Sequence, residues 1–345
     1  MSFFRGSGAT RSASLRTPPA AAVFAGLTMA VIAAAATGIF TGAANISPAQ
    51  VFTAFAGADA GDPEVATILE RRLPRTLLGL TAGASMGLAG ALLQNVTRNP
   101  LADTGVLGIN SGAAFAAALG MAVFGVSAPA GFLGLAIGGA TITGAAVYAI
   151  GRGGAVGVDP LRLVLAGVAL GAILEGIGDG LALVDPHTFD RVRGWMVGNL
   201  DVASPDPARL AFIGLAAGLV LAFPVMRSLD HLRLDDDTAS SLGVPLRRLR
   251  FFLLAAVIVF AASATAAAGV MVFVGLMVPQ LARALVGAKE GRILAASALL
   301  GPVVLVTADV LGRQLVPGEL PAGVVVSFIG APFLIAIARR PVMSP

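Results

Sequence analysis

Four small or acidic residues recur at intervals of four in the otherwise apolar segment 161–184. They are Gly167, Gly171, Glu175 and Asp179, and this spacing places them on one face of a helix. If the segment crosses a membrane, its carboxylates must face protein or water, because lipid does not solvate a charge. Glu175 is therefore a candidate functional residue, and the alternative is a buried ion pair with an arginine of a partner subunit.

The other reactive residue types exclude the common catalytic sites. The absence of cysteine excludes a disulfide framework, a thiolate nucleophile and an iron–sulfur site. The single lysine, Lys289, lies outside any Gly-Lys-Ser/Thr sequence, which excludes a Walker P-loop, and the glycine run at 151–154 is interpreted as a plain loop. His187 and His231 fall on opposite sides of the predicted membrane and cannot share a metal ion. We therefore expect no catalytic residue, no metal site and no cofactor bound by this chain.

The composition indicates a membrane protein. Of the 345 residues, 57% are hydrophobic and 12% are charged. Soluble domains have about twice this charged fraction, so a soluble enzyme is excluded. A disordered chain is excluded as well, because disordered segments have low hydrophobicity.

Ten continuous apolar stretches have about the 20 residues that a hydrocarbon core requires. They lie near 20–42, 73–96, 106–125, 129–151, 161–184, 208–228, 251–269, 270–286, 293–313 and 322–338. Continuous apolar runs, rather than alternating ones, exclude a membrane β-barrel. The 44 glycines favour close helix packing. The predicted fold is an all-α polytopic membrane protein with about ten transmembrane helices.

The distribution of basic residues predicts the orientation of these helices. With the N-terminus inside, sixteen of the 23 lysines and arginines are cytoplasmic and seven are external. Cytoplasmic loops are enriched in such residues, so we expect both termini in the cytoplasm. Residues 1–19 then form an N-terminal tail, residues 20–340 one ten-helix domain, and residues 341–345 a C-terminal tail. The first apolar stretch is too long for a cleaved signal peptide.

The longest predicted cytoplasmic connection, 229–250, contains the signals of a short helix. Asp235 can cap its N-terminus, and Asp236 and Asp237 in the first turn complement the helix dipole. Gly243 is expected to end the helix. One interpretation is a solvated loop helix, and the other is a docking element for a cytoplasmic partner.

Five motifs occur in one order along the chain from residue 71 to its C-terminus. Together they resemble the permeases that import ferric siderophores, haem and cobalamin, which are the membrane subunits of type II ABC importers. The motifs are RLPR at 72–75, RNPLADTGVLGINSG at 98–112, TASSLGV at 238–244, FVGLMVP at 273–279, and ELPAG at 319–323 with GAP at 330–332. The first residues of the second motif, Arg98, Asn99 and Pro100, fall in a predicted cytoplasmic loop. Each motif alone is weak, but five in register are specific.

The resemblance implies partners and a role for the cytoplasmic helix. It implies a dimer with a second permease subunit, identical or different, two ATPase subunits that bind ATP and Mg²⁺, and an external substrate-binding protein. The cytoplasmic helix corresponds to the family's coupling helix, which fits a groove on the ATPase. The residues concerned are Asp236, Asp237, Thr238, Ala239, Leu242 and Gly243. Asp235 departs from the family, which usually has glycine there.

The resemblance also gives the external arginines a role. Arg72, Arg75 and Arg313 correspond to arginines that pair with glutamates of the binding protein, and charge-assisted pairs suit a reversible dock. The alternatives are interfacial anchoring and internal pairing with the nearby acids Glu64, Glu70, Asp309 or Glu319. The resemblance further places the segment 161–184, with its four spaced residues, beside the translocation pathway.

Three more observations bear on the details. Trp195 lies in a segment similar to one near the family's external channel mouth, although an interfacial anchor is an alternative. Gln280 replaces a histidine of many relatives, and residues 289–292 replace an Asp-His-Arg-like segment. These two departures concern coupling to the ATPase rather than transport itself.

The sequence as a whole predicts a permease subunit that moves ferric siderophore across the bacterial inner membrane by ATP-driven alternating access. Haem and cobalamin are alternative cargoes within the family. A secondary transporter driven by an ion gradient is a more distant alternative, for which Glu175 and Asp179 are the only indication. A passive scaffold or receptor is a third.

Overall fold

The computed structural model describes most of the chain between residues 19 and 339, and these described residues are helical without a β-strand. The described ranges are 19–42, 46–57, 62–126, 128–152, 159–184, 186–202, 204–233, 236–316 and 318–339. The predicted tails (apart from Pro19) and the predicted cap Asp235 lie outside them. So do the side chains of His187, Asp236 and Asp237.

Fourteen α-helices form the described fold. They are α1 (Ala20–Phe40), α2 (Pro48–Phe55), α3 (Pro63–Ala66), α4 (Leu73–Thr97), α5 (Ile109–Ala122), α6 (Pro129–Gly151), α7 (Pro160–Val184), α8 (Pro186–Met196), α9 (Asp206–Ala222), α10 (Asp236–Ser241), α11 (Leu246–Ala268), α12 (Val274–Val286), α13 (Glu290–Leu315) and α14 (Ala322–Ala338). A π-helical stretch, Thr67–Arg72, joins α3 to α4. Two 3-10 helices occupy Thr104–Leu107 and Phe223–Arg233.

Seven helical segments among the described residues are long and apolar enough to cross a membrane. Their ranges are 20–40, 63–97, 129–151, 160–181, 206–232, 246–268 and 290–315. Three shorter apolar helices, at 109–122, 274–286 and 322–337, coincide with the remaining predicted spans. The prediction of an all-helical protein with many apolar helices is confirmed.

The predicted span at 270–286 was too long at its N-terminal end. Its helix, α12, begins at Val274 and has 13 residues. Gly269 (φ 78°) and Phe273 (φ 71°) have positive φ values, and this backbone conformation cannot belong to an α-helix. The helices α2 and α8 have no counterpart among the predicted spans, because their amphipathic patterns are short.

The centre of the molecule is α4, which packs against α9, α11, α12 and α13. Nearly all of its residues are buried. Backbones approach closely where two glycines meet: a Cβ on Gly83 would overlap the carbonyl of Gly301, and a Cβ on Gly90 would overlap that of Gly275. Such contacts require glycine, and they fix α12 and α13 against α4.

The helices α7 and α14 lie at the outside of the described fold. The large apolar side chains of α7 are largely exposed, as Leu161 and Leu165 show (67% and 59%). On α14, Phe328 is 76% exposed and Ile335 is 55% exposed. These faces therefore meet lipid or another subunit rather than the core of this chain.

Candidate functional site

The four spaced residues of α7 divide into two glycines that pack against other helices and two acids that do not. Gly167 is buried, and a Cβ there would overlap the carbonyl oxygen of Val106. Gly171 is also buried, and a Cβ added there would lie 3.3 Å from the Ser111 hydroxyl oxygen. The two glycines thus allow α7 to pack closely on α5 and on the 3-10 helix before it, and neither lines the cavity that Glu175 and Asp179 face.

The two acids of α7 face a cavity of about 250 Å³ between α5, α7 and α8. Glu175 and Asp179 both line it, and both are exposed. The Ser111 hydroxyl donates a hydrogen bond of 2.7 Å to Glu175 Oε1. Arg193 of α8 lines the same cavity, whose surface is otherwise mainly apolar. This arrangement can offer two carboxylates and one guanidinium to a passing polar group.

Trp195 lies in a different environment from Glu175. Its Nε1 donates to the carbonyl of Ala266 at 3.2 Å, and its ring packs edge-on against Phe132 with 5.4 Å between the centroids. It lines a second cavity of about 550 Å³, together with Asp201. The structure therefore does not bring Trp195 together with the α7 carboxylates.

Five charged residues at the N-terminal end of α4 form a group that we call the arginine cluster: Arg72, Arg75, Asp309, Arg313 and Glu319. Arg75 NH2 lies 2.8 Å from Asp309 Oδ1, and its NH1 lies 2.7 Å from Glu319 Oε2. Arg75 is 7% exposed and Asp309 only 1%. The internal pairing that the sequence left as an alternative is thus present for Arg75.

Arg72 and Arg313 complete the arginine cluster through backbone groups of α1. Arg72 NH1 donates to the carbonyl of Ile39 at 3.1 Å, and Arg313 NH1 donates to that of Gly38 at 2.9 Å. Arg313 also forms an ion pair with Asp309. The guanidinium groups therefore satisfy carbonyls at the C-terminal end of α1, where helical backbone acceptors have no partner.

The arginine cluster nevertheless borders open space. Arg72, Arg75, Arg313 and Glu319 line a cleft of about 320 Å³, and so does Asp201, whose Oδ1 lies 3.6 Å from Arg75 NH1. The cleft places three predicted docking residues side by side. Backbone carbonyls of α1 and the carboxylates of the cluster already bind these guanidinium groups. A docking partner would therefore contact only the atoms that face the cleft.

The predicted cytoplasmic helix is present as α10, and it ends as the sequence indicates. Gly243 has a φ of 76°, its N–H donates to Ser240 O, and the Val244 N–H donates to Ala239 O. This pair of bonds is a Schellman motif. Ala239 is buried, whereas Leu242 is 63% exposed and projects an apolar side chain from the end of the helix.

The loop 98–103 follows α4 and carries the start of the second motif. Arg98 has a φ of 51°, and its Nε donates to the carbonyl of Leu232 at 2.8 Å. The Asn99 side chain accepts a hydrogen bond from the backbone N–H of Leu101. The carbonyl of Pro100 accepts a hydrogen bond from a side chain of α12. This loop is thus tied both to the segment before α10 and to α12.

Two buried polar residues beside this loop were missed as site candidates. Gln94 is 2% exposed and connects α4 with α12. Burial raises the pKa of the Asp103 carboxyl to about 6, although backbone N–H groups of Thr104, Gly105 and Phe273 act to lower it. A lone glutamine in an apolar span was the only sequence signal for the first, and the motif itself for the second. Among the described residues, no group of His, Asp or Glu is arranged to hold a metal ion.

Comparison with known proteins gives matches along nearly the whole chain. The sequence model of the FecCD transport family matches residues 27–340. The ferric enterobactin transport system permease protein FepD of Escherichia coli (strain K12) is 43% identical over 315 residues, which are 91% of this chain and 94% of that protein. The Fe(3+)-citrate import system permease protein YfmD of Bacillus subtilis (strain 168) is 36% identical over 283 residues, 81% of this chain and 83% of that protein.

A solved structure has the same fold. It is described as a metal-chelate type ABC transporter in an inward-facing conformation. Its superposition on this chain has a TM-score of 0.81 with 25% sequence identity, and it covers 93% of this chain and all of the other.

Proposed function

The chain belongs to the FecCD transport family, and we propose on that premise that it is the transmembrane permease subunit of an ABC importer for ferric siderophores. The cargo is an iron chelate, the membrane is the bacterial inner membrane, and a separate ATPase supplies the energy. The observation that carries the proposal is the similarity, along nearly the whole chain, to a ferric enterobactin permease.

In this proposal the chain crosses the membrane ten times, with both termini in the cytoplasm. Seven long and three short apolar helices are available for these spans. The orientation rests on the excess of arginine in the segments assigned to the cytoplasm. It places the arginine cluster on the external side and α10 on the cytoplasmic side.

A second permease subunit, identical or different, would cover the exposed faces of α7 and α14. The charged groups of α7 support this arrangement, because exposed carboxylates at membrane depth are costly against lipid. Glu175 and Asp179 would then line a pathway between the two subunits. Haem or cobalamin would use the same path, and the cargo panel described below distinguishes them from ferric siderophores.

The α10 region and the cleft of the arginine cluster would bind different partners. The exposed Leu242 and the end of α10 would fit the ATPase, so that nucleotide-driven closure moves the spans. A loaded binding protein would dock at the cleft of the arginine cluster. Because Asp309 and Glu319 hold the guanidinium groups, the cleft would be preorganised for carboxylates of that protein.

The test is uptake into proteoliposomes that contain the permease, its co-purified ATPase and its binding protein. Labelled ferric siderophores, haem and cobalamin are supplied in parallel, with ATP or with an imposed proton gradient. We expect ATP-dependent accumulation of a ferric siderophore, and we expect the substitution Leu242→Glu to abolish it. Arg162→Glu is the control, because Arg162 is also exposed in a segment assigned to the cytoplasm but lies outside α10. Uptake that follows only the proton gradient would overturn the ABC proposal.

A further inference from the structure

A buried glutamine compensates for a proline in α12. Pro279 lies inside this helix and has no N–H to donate to the carbonyl of Gly275, four residues earlier. The Nε2 of Gln94, from α4, approaches that carbonyl at 3.4 Å and the carbonyl of Leu276 at 3.2 Å. Gln94 thus supplies a donor from a neighbouring helix where α12 cannot supply its own.

The other end of the Gln94 amide is used as well. Its Oε1 accepts hydrogen bonds from Gln280 Nε2 at 3.2 Å and from Arg283 NH1 at 3.0 Å. Gln280 Nε2 also donates to the carbonyl of Pro100 at 2.6 Å. The single NH₂ group of Gln280 therefore connects α4, α12 and the loop 98–103. We call Gln94, Gln280 and the Pro100 carbonyl the amide joint.

The same loop is also tied to the segment that leads into α10. Arg98 Nε donates to Leu232 O, as described above. The carboxylate of Asp230, in the same segment, accepts the backbone N–H of Glu290 at the start of α13. The loop 98–103 is therefore bound both to the amide joint and to the segment that supports α10.

We propose that the amide joint fixes the loop 98–103 on α12, and that Gln280 is the positioning residue through which movements that reach this loop from α10 pass on to α12 during transport. The inference rests on the proposed function, since it concerns the link between the ATPase and the pathway. Its chemistry suits a joint that opens and closes, because neutral amide bonds are weaker than charge-assisted ones. Spatial intermediacy alone does not establish coupling, so the test must measure it.

The first test compares two substitutions of Gln280 in proteoliposomes. Gln280→Met keeps the length of the side chain but removes both donors, whereas Gln280→His keeps one N–H donor. For Gln280→Met we expect about a tenfold loss of cargo transported per ATP hydrolysed, which corresponds to losing one or two neutral hydrogen bonds. For Gln280→His we expect a ratio within about twofold of the wild type. A purely structural role would lower uptake and ATP hydrolysis in proportion.

The second test reads the loop directly and needs no transport. The chain has no cysteine, so a Leu101→Cys variant carries a single thiol in the loop. Leu101 is 43% exposed, and the rate of its labelling by a maleimide reports how firmly the loop is held. With Gln280→Met in the same chain, we expect labelling about tenfold faster. A Leu242→Cys variant is the control, and its labelling should not change.

The possible outcomes distinguish a failure of the amide-joint proposal from a failure of the proposed function. If the wild type shows no ATP-driven uptake, the proposed function fails, whereas labelling still decides whether Gln280 fixes the loop. Equal labelling rates with and without Gln280→Met would overturn the joint, and so would proportional losses of uptake and ATP hydrolysis. Should Gln280→Met not accumulate in the membrane, Gln280→Ser replaces it, because its hydroxyl is too short to reach Pro100.

Discussion

At its N-terminal end α4 is held by guanidinium–carboxylate pairs, whereas near its C-terminal end it is held mainly by side-chain amides. Arg75 binds Asp309 and Glu319 in the arginine cluster. Gln94 binds Gln280 and backbone carbonyls in the amide joint, and it accepts one charge-assisted hydrogen bond from Arg283. Arg75 and Gln94 are both buried, and both tie α4 to segments that follow much later in the chain. They differ in the free energy that is lost when a contact opens.

Because of this difference, the contacts at the N-terminal end of α4 are expected to stay closed, whereas those near its C-terminal end can open. Removing one partner of a buried ion pair costs about 3–5 kcal/mol, because the remaining charge has no compensation. A neutral hydrogen bond contributes about 0.5–1.5 kcal/mol. The arginine cluster is therefore suited to a permanent scaffold under its cleft, and the amide joint is suited to a contact that breaks and reforms.

The largest effect is expected from Arg75→Met. This substitution removes the contact of Arg75 with the buried Asp309 and its pair with Glu319, and it leaves Asp309 only the ion pair with Arg313. We therefore expect the free energy of unfolding to fall by about 3–4 kcal/mol. Thermal unfolding in detergent measures the change. Arg209→Met is the matched control, because Arg209 forms an exposed pair with Asp206 and should cost less than about 0.5 kcal/mol.

A double variant sharpens this result. Adding Asp309→Leu to Arg75→Met should cost less than the sum of the two single substitutions, because the contact between Arg75 and Asp309 can be lost only once. An Arg75→Met chain as stable as the wild type would show that the arginine cluster is no scaffold, and the contrast between the two ends of α4 would disappear.

The next effect concerns the close contact of α4 with α12, which lies between the arginine cluster and the amide joint along α4. Gly90 faces Gly275 so closely that a Cβ would overlap its carbonyl, so we expect Gly90→Ala to lower the free energy of unfolding by about 3 kcal/mol. Gly176→Ala in α7 is the control, since nothing lies within 4 Å of a Cβ there. Because alanine favours a helix, the control should be neutral or stabilising by up to about 1 kcal/mol. Similar results for both variants would mean that α4 and α12 are not fixed by this contact.

Hydropathy and motifs together predicted much of the molecule. The apolar stretches gave most helices to within a few residues, since burial in lipid imposes a length and a composition that can be read locally. The family resemblance is confirmed by the match over residues 27–340. Gly243 was predicted to end its helix, and it does so because the positive φ of this position favours glycine.

What the sequence could not supply was the tertiary partner of each polar group. The spacing of Gly167, Gly171, Glu175 and Asp179 gave one face, but only the fold shows that its glycines pack on α5 while its acids face a cavity. The link between Gln94 and Gln280 spans nearly 190 positions, a separation that no local pattern reports.

A third effect depends on pH and concerns the buried carboxyl beside the amide joint. The pKa of Asp103 is raised from 3.8 to about 6, so between these values the folded state binds more protons than the unfolded state. Its contribution to stability is therefore complete below about pH 4 and is lost as the pH rises to 6. We expect Asp103→Asn to be more stable than the wild type by about 3 kcal/mol at pH 7 and by less than about 1 kcal/mol at pH 4.

Unfolding of the two chains in detergent between pH 4 and pH 7 measures this difference. Asp206→Asn provides the control for the substitution itself, because Asp206 is exposed. A stability difference for Asp103→Asn that stays constant with pH would contradict a raised pKa.

The smallest effect on stability is expected from Glu175→Gln, which belongs to neither end of α4. Its side chain is exposed, and glutamine can still accept the hydrogen bond from Ser111, so the free energy of unfolding should change by less than about 0.5 kcal/mol.

The rate of uptake, in contrast, should change with Glu175→Gln. A unit charge about 10 Å from a unit negative charge on a chelate opposes its passage by roughly 1–2 kcal/mol at an effective dielectric constant of 20. Removing the charge should therefore raise uptake of an anionic chelate by up to about tenfold and leave that of a neutral one unchanged. Equal changes for both chelates, or a large loss of stability, would place Glu175 with the scaffold rather than on the pathway.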